Sequence, residues 1–186
     1  MDKVKEAVLA LEPELIELRR DFHRHPELGY KEFRTSGIVR DYLEALGIET
    51  QIVTGTGVVG LLKGTAAGAA MGPTIMLRAD MDALAQEEKS GVDYASETPG
   101  LMHACGHDAH TAMLLVAAKI LAGDRHRLNG NIKFVFQPNE EEAGALNMIE
   151  AGVLENPKVD AAFGVHIWTP VPSGKIGLSN GPVMAA

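Results

Sequence analysis

A chain of 186 residues, 46% hydrophobic and 23% charged, has enough apolar material for one domain with a substantial core. Its net charge of −8, with no run of Lys or Arg, speaks against nucleic acid and anionic membranes as partners. The single cysteine excludes an internal disulfide and fits a reducing, cytoplasmic compartment. The charged N-terminus does not read as a signal peptide, and the longest apolar run, Ala112–Ala118, is too short to cross a bilayer.

In chain order, residues 3–25 read as one amphipathic helix. Val4, Val8, Leu11, Leu15 and Leu18 recur at three- and four-residue steps, and Pro26 and Gly29 punctuate its end. A second helix is expected from an N-cap at Thr35 to Gly47, with Ile38, Tyr42, Leu43 and Leu46 facing inward. Residues 50–63 read as extended, 74–79 as a short strand, and 80–106 as mostly loop. A helix follows over about 107–122, then a strand at 131–137, a helix at 141–151, a strand at 159–167 and a short strand near 175–179. This alternation predicts an α/β sheet flanked by helices, with ligands gathered beyond the carboxyl ends of the strands.

One glycine motif is a decoy. Gly55-Thr56-Gly57-Val58-Val59-Gly60 matches the dinucleotide-binding pattern, with Asp80 at the expected distance beyond it. That site needs the glycines to open a helix. The residues that follow, Leu61-Leu62-Lys63-Gly64 and then Gly68, Gly72 and Pro73, forbid one. A turn between two strands is the expectation.

The chemistry concentrates in Met102-His103-Ala104-Cys105-Gly106-His107-Asp108-Ala109-His110, where the only cysteine stands among three histidines and an aspartate. Thiolate and neutral imidazole are both good donors to zinc-like ions. A loop or helix entry can aim both Cys105 and His107 inward. Two other readings stand beside this one: a buried free cysteine with surface histidines, and a nucleophilic Cys105 served by a histidine base. Asp80 and Asp82 follow the strand at 74–79, and Glu140-Glu141-Glu142 follow the strand at 131–137. Acid runs often simply open helices. At a strand end, though, one glutamate can ligate metal while its neighbour takes a proton from metal-activated water. His166 lies in an apolar strand, where a core role is usual and a ligand role becomes reasonable with the other groups nearby.

These segments together resemble the metal-dependent aminoacylase/carboxypeptidase peptidase family. They are similar above all to the branch of N-acyl-amino acid amidohydrolases, hippurate hydrolases and plant indoleacetyl-amino acid hydrolases. The resemblance is carried by Phe22–Gly29, Leu77–Leu84, Met102–His110, Phe136-Gln137-Pro138 with its glutamates, and Gly164-Val165-His166. It implies a three-layer α/β/α zinc-peptidase-like catalytic domain with a mostly parallel mixed sheet. It implies two divalent ions, with Mn²⁺, Zn²⁺, Co²⁺ and Ni²⁺ as candidates. Cys105, His107, Glu141 and His166 match the family's metal ligands, Glu140 its general base, and Asp80 an aspartate that orients the site. The family usually has Ala at the position of Asn139 and Gly near Glu142, so the glutamate register carries an ambiguity of one. The family's DALPIQE stands here as Asp82–Glu88 without its proline. Residues 1–186 match the N-terminal part of that catalytic domain, without the lid and dimerisation domain. The implied function is hydrolysis of N-acyl-amino acids by a protein that is a homodimer at full length. A metal-binding but inactive piece and a cysteine-dependent hydrolase are the alternatives.

Overall fold

The computed structural model describes residues 2–178. Ten regular elements appear among them: α1 (Asp2–Ala10), α2 (Glu12–Arg24), α3 (Phe33–Ala45), β1 (Glu49–Val53), β2 (Gly57–Lys63), β3 (Thr74–Asp80), α4 (His107–Gly123), β4 (Asn131–Gln137), α5 (Ala145–Glu150) and β5 (Ala161–Gly164).

The helix expected over 3–25 is two helices broken at Leu11. Pro13 has no N–H to give and its ring would clash with the carbonyl four residues back, so the helix restarts with proline in its first turn. Val4, counted in the helical stripe, has no described side chain. The second helix starts at Phe33, two residues before the expected cap. Thr35 lies inside it, buried, and its hydroxyl has no partner. The cap comes from outside the helix. The Glu27 carboxylate accepts the backbone N–H groups of Arg34 and Thr35 at 2.9 and 2.8 Å, satisfying two of the otherwise orphaned donors.

The five strands form one mixed sheet in the order β1-β2-β4-β3-β5. β1, β2 and β4 pair antiparallel, and β3 runs parallel to both β4 and β5. The glycine decoy is a hairpin turn. Thr54 and Gly55 take positive φ, and Gly57 opens β2. Helices cover both faces. α2, α3 and α4 pack on one face, over Val58, Leu62, Phe134 and Phe136, with Phe22, Val39, Leu43 and Leu115 completing the main core. α5 covers the other face, where Met148 and Val153 meet Val135, Val59 and Met76. β4 is therefore buried on both sides, as its unbroken apolar run Phe134-Val135-Phe136 requires. Lys133 sits among these residues at 3% exposure. It is tolerated there because its ammonium donates to the carbonyls of Val153, Glu155 and Pro157 at 2.8–2.9 Å.

Two C-terminal elements are shorter than the sequence pattern implies. The helix expected over 141–151 begins only at Ala145. A tight turn at Glu140–Glu142 precedes it, and Ala143, at φ +63°, breaks the path between them. The strand expected over 159–167 stops at Gly164, where its pairing with β3 ends at Arg78. The Ile167 N–H is taken by a side chain instead of a strand. Residues 175–178 form no strand, and Ser179 lies outside the described residues. No helix among the described residues is long and apolar enough to cross a membrane.

Candidate metal centre

β3, β4 and β5 run parallel, so their carboxyl ends share one rim of the sheet. In register, Asp80 stands opposite Gln137 and Arg78 opposite Gly164. The chain leaving β3 delivers Asp80 and Asp82 to that rim, the chain leaving β4 delivers Glu140 and Glu141, and the chain leaving β5 delivers His166. α4 starts at the same rim with His107. This is where open α/β sheets bind ligands.

Gly106 makes the cysteine–histidine pair possible. Its φ of +90° turns the chain sharply between Cys105 and His107, a conformation that costs any other L-residue energy. Cys105 thus reaches the rim from the loop, and His107 reaches it as the first residue of α4.

His107 is fully buried and held by its back nitrogen. Nδ1–H donates to the Asp82 carbonyl at 2.9 Å and lies 3.2 Å from the Asp82 carboxylate. That leaves Nε2 as a lone pair with no hydrogen-bond partner. Buried polar atoms seldom stay unpaired without a reason. Around Nε2 stand Asp80 Oδ2 at 3.7 Å, Glu140 Oε2 at 3.7 Å and Glu141 Oε1 at 3.8 Å. On the outer side the Cys105 thiol lies 3.4 Å from His166 Nε2. Donor atoms of Cys105, His107 and His166 come within mutual reach of a metal ion, and so do those of His107, Glu140 and Glu141. The two sets share His107. Soft and borderline donors on one side and carboxylates on the other suit Mn²⁺- or Zn²⁺-like ions.

The electrostatics match an anionic cradle. Burial alone would raise Asp80, but its hydrogen bond from His110 and the charges of His107 and Arg78 hold it down at about 2. Burial, the largest influence on His107, favours the neutral ring. The Asp82 contact and the Asp80 and Asp82 charges outweigh it and raise the pKa. The Cys105 thiol is pushed up to about 12 by burial, then by Glu141, Glu140 and Asp80. A nucleophilic cysteine needs the opposite surroundings. A cation at the rim would reverse the effect and make the thiolate available as a ligand.

All six residues singled out in the sequence converge on this rim. Asp80 accepts the His110 Nδ1–H at 2.7 Å and pairs with Arg78 at 2.7 Å. His110 Nε2 in turn accepts the Ile167 N–H at 2.9 Å, which fixes the backbone beside His166. The carboxylate in contact with His107 Nδ1 is Asp82, which also accepts the Glu141 N–H at 3.1 Å. His110 was not singled out. Its signal was present: it lies three residues after His107, on the same face of α4.

Behind the rim, His23 connects three segments. Its Nδ1 faces Asp108 at 2.7 Å and its Nε2 faces Glu88 at 3.0 Å, while Arg19 reaches Asp108 at 2.9 Å. A cleft of about 880 Å³ opens beside Cys105 and His166, walled mainly by α2, the loop around Val92–Cys105 and Trp168.

Residues 76–181 match peptidase family M20/M25/M40, and the chain belongs to that family. It is 45% identical to thermostable carboxypeptidase 2 of Saccharolobus solfataricus, over all of this chain and 47% of that protein. It is 42% identical to the N-acyl-L-amino acid amidohydrolase of Geobacillus stearothermophilus, over all of this chain and 49% of that protein. Among solved structures it resembles the Bacillus subtilis YXEP protein, described as a dinuclear metal-binding peptidase. That match has a TM-score of 0.85 and 43% identity, and covers 93% of this chain and 48% of that one. The chain spans about half the length of the curated relatives it matches.

Proposed function

We propose that this chain is the N-terminal part of the catalytic domain of a two-metal amidohydrolase that cleaves N-acyl-amino acids. Cys105, His107, Glu141 and His166 would hold Mn²⁺, Zn²⁺, Co²⁺ or Ni²⁺, and Glu140 is the general base. The observation that carries the reading is the lone pair of His107, buried without a partner and facing two glutamates. The names of the amidohydrolase relative and the dinuclear peptidase support the reaction class and the ion count.

Bound ions would supply an acidified water and a Lewis acid for the amide carbonyl. The protein supplies the rest. Asp82 fixes the tautomer of His107, a device that keeps an imidazole ligand oriented. Asp80 acts through His110 on the backbone next to His166. The Glu140 carboxylate takes a proton from the attacking water and returns it to the departing amine, leaving a carboxylic acid and an amino acid. The largely apolar cleft beside Cys105 accommodates the acyl group. A cytoplasmic location and a homodimer of the full-length protein belong to the same proposal.

Replacing Glu140 by Gln should leave metal content unchanged and lower turnover by about 10²–10⁴-fold, the usual worth of a general base. Replacing Glu141 by Gln should instead weaken metal binding. Metal analysis and hydrolysis of an N-acetyl-amino acid measure both, and near-normal turnover by metal-loaded E140Q would exclude the role. Chelation should abolish activity, and added Mn²⁺ or Zn²⁺ should restore it. Activity that survives chelation but dies on alkylation of Cys105 would point to a cysteine-dependent hydrolase.

A further inference from the structure

The segment from Pro26 to Glu32 packs against the loop that carries both glutamates. Glu32 is wholly buried. It stands at the N-cap of α3 but makes no capping bond there, because Glu27 fills that role. Its carboxylate turns away from the helix. One oxygen accepts the Thr56 hydroxyl at 2.6 Å, and the other accepts the Asn139 N–H at 2.9 Å.

Asn139 is the residue before Glu140, and it has a φ of +52°. Asparagine tolerates the left-handed region better than most residues, yet the conformation is sparsely populated and the contacts around it select it here. Gly29 presses on the same residue, leaving no room for a side chain. A Cβ at Gly29 would stand 1.9 Å from Asn139 Oδ1. The loop is thus held by two carboxylates. Asp82 takes the Glu141 N–H and Glu32 takes the Asn139 N–H.

We propose that Glu32 is a positioning residue, whose buried carboxylate sets the placement of Glu140 and Glu141 through the Asn139 N–H. It touches neither substrate nor ion, and it acts by fixing where the loop starts. The proposal rests on the functional reading above, in which Glu140 is the base and Glu141 a ligand. Outer groups of this kind typically contribute about 10–100-fold to metal affinity or activity.

The test compares E32A, E32Q and E32D with the wild-type protein. Mn²⁺ affinity is read by titration calorimetry, and kcat and KM on an N-acetyl-amino acid. E32A should lose at least about tenfold in Mn²⁺ affinity or in kcat per bound metal, with KM changed by less than about threefold. E32Q should retain both, because its amide oxygen can accept the Asn139 N–H while its amide nitrogen donates to the Thr56 hydroxyl. A purely structural role would lower melting temperature in E32A but leave affinity and kcat per folded site unchanged, and that result overturns the proposal. Should E32A fail to fold, E32Q and E32D decide. The shorter Asp should lose about tenfold relative to Gln, and equal behaviour of the two overturns the proposal. A wild-type protein that binds no Mn²⁺ and keeps its activity under chelation overturns the functional reading instead.

Discussion

At the scale of single residues, the centre depends on backbone shapes that few side chains tolerate. Gly106 is the sharpest case, because one left-handed residue aims Cys105 and His107 into the same space. A Cβ there would meet only Ile167, at ordinary contact distances of 3.4 and 3.7 Å, so the cost of Gly106→Ala is conformational. It should be about 1–2 kcal/mol of stability, with weaker metal uptake as the pair splays. Urea unfolding alongside a Co²⁺ or Mn²⁺ titration checks both. Unchanged metal uptake would separate the turn from ligand placement. The sequence displayed most of this site. Cysteine, histidines and acids stood at strand ends, where ligands bind. It did not display which acid serves which histidine. Asp80 and Asp82 are two residues apart and chemically alike, and only the fold puts Asp82 against His107 and Asp80 against His110.

Between elements, carboxylates act as fasteners. Glu27 caps α3 from the preceding segment. His23 fastens α2 to both the start of α4 and the loop at Glu88. The Asp108 hydrogen bond, followed by the opposing effect of burial and the Glu88 contact, gives a raised His23 pKa. Burial acts to raise Glu88, but hydrogen bonds from Ser90, Ser96 and His23 hold it at about 2. The signs then follow by linkage. The charged His23 contributes its full stability below its unfolded pKa of about 6.5, and loses it as pH rises through the raised folded value. Glu88 contributes above its unfolded pKa of about 4.3, and loses this as pH falls towards 2. His23→Gln should therefore destabilise most between about pH 5 and 6.5, and progressively less at higher pH. Thermal melts of both proteins across pH 5–9 test this, and a difference independent of pH would remove the charged pairing from the account. The His23 contacts were hidden in the sequence because their partners lie 85 and 65 residues away, whereas the Glu27 cap spans only seven and eight residues but comes from outside the helix it caps. Strand β4, by contrast, was read to its bounds, since an apolar run with strand-length limits needs no distant partner.

Across the whole molecule, the alternation of strands and helices was enough to identify an α/β sheet with helices on both faces. The antiparallel pairing of β1 with β2 follows from a short glycine turn that cannot form a crossover. Boundaries failed where local geometry overrode periodicity, at Pro13, at Ala143 and beyond Gly164. Lys133 shows what the assembled layers do to one ordinary side chain. Its amine lies on the central strand beneath the turn at 153–157, engaged by three carbonyls and sealed from water, and burial lowers its pKa. An acylating reagent should modify Lys63, whose side chain is 64% exposed, and pass over Lys133. Peptide mass mapping under rising urea should find Lys133 labelled only as the sheet comes apart. The chain thereby carries an internal gauge of global unfolding, readable without any introduced probe, and labelling of Lys133 at the Lys63 rate in the absence of denaturant would contradict the packing of that strand.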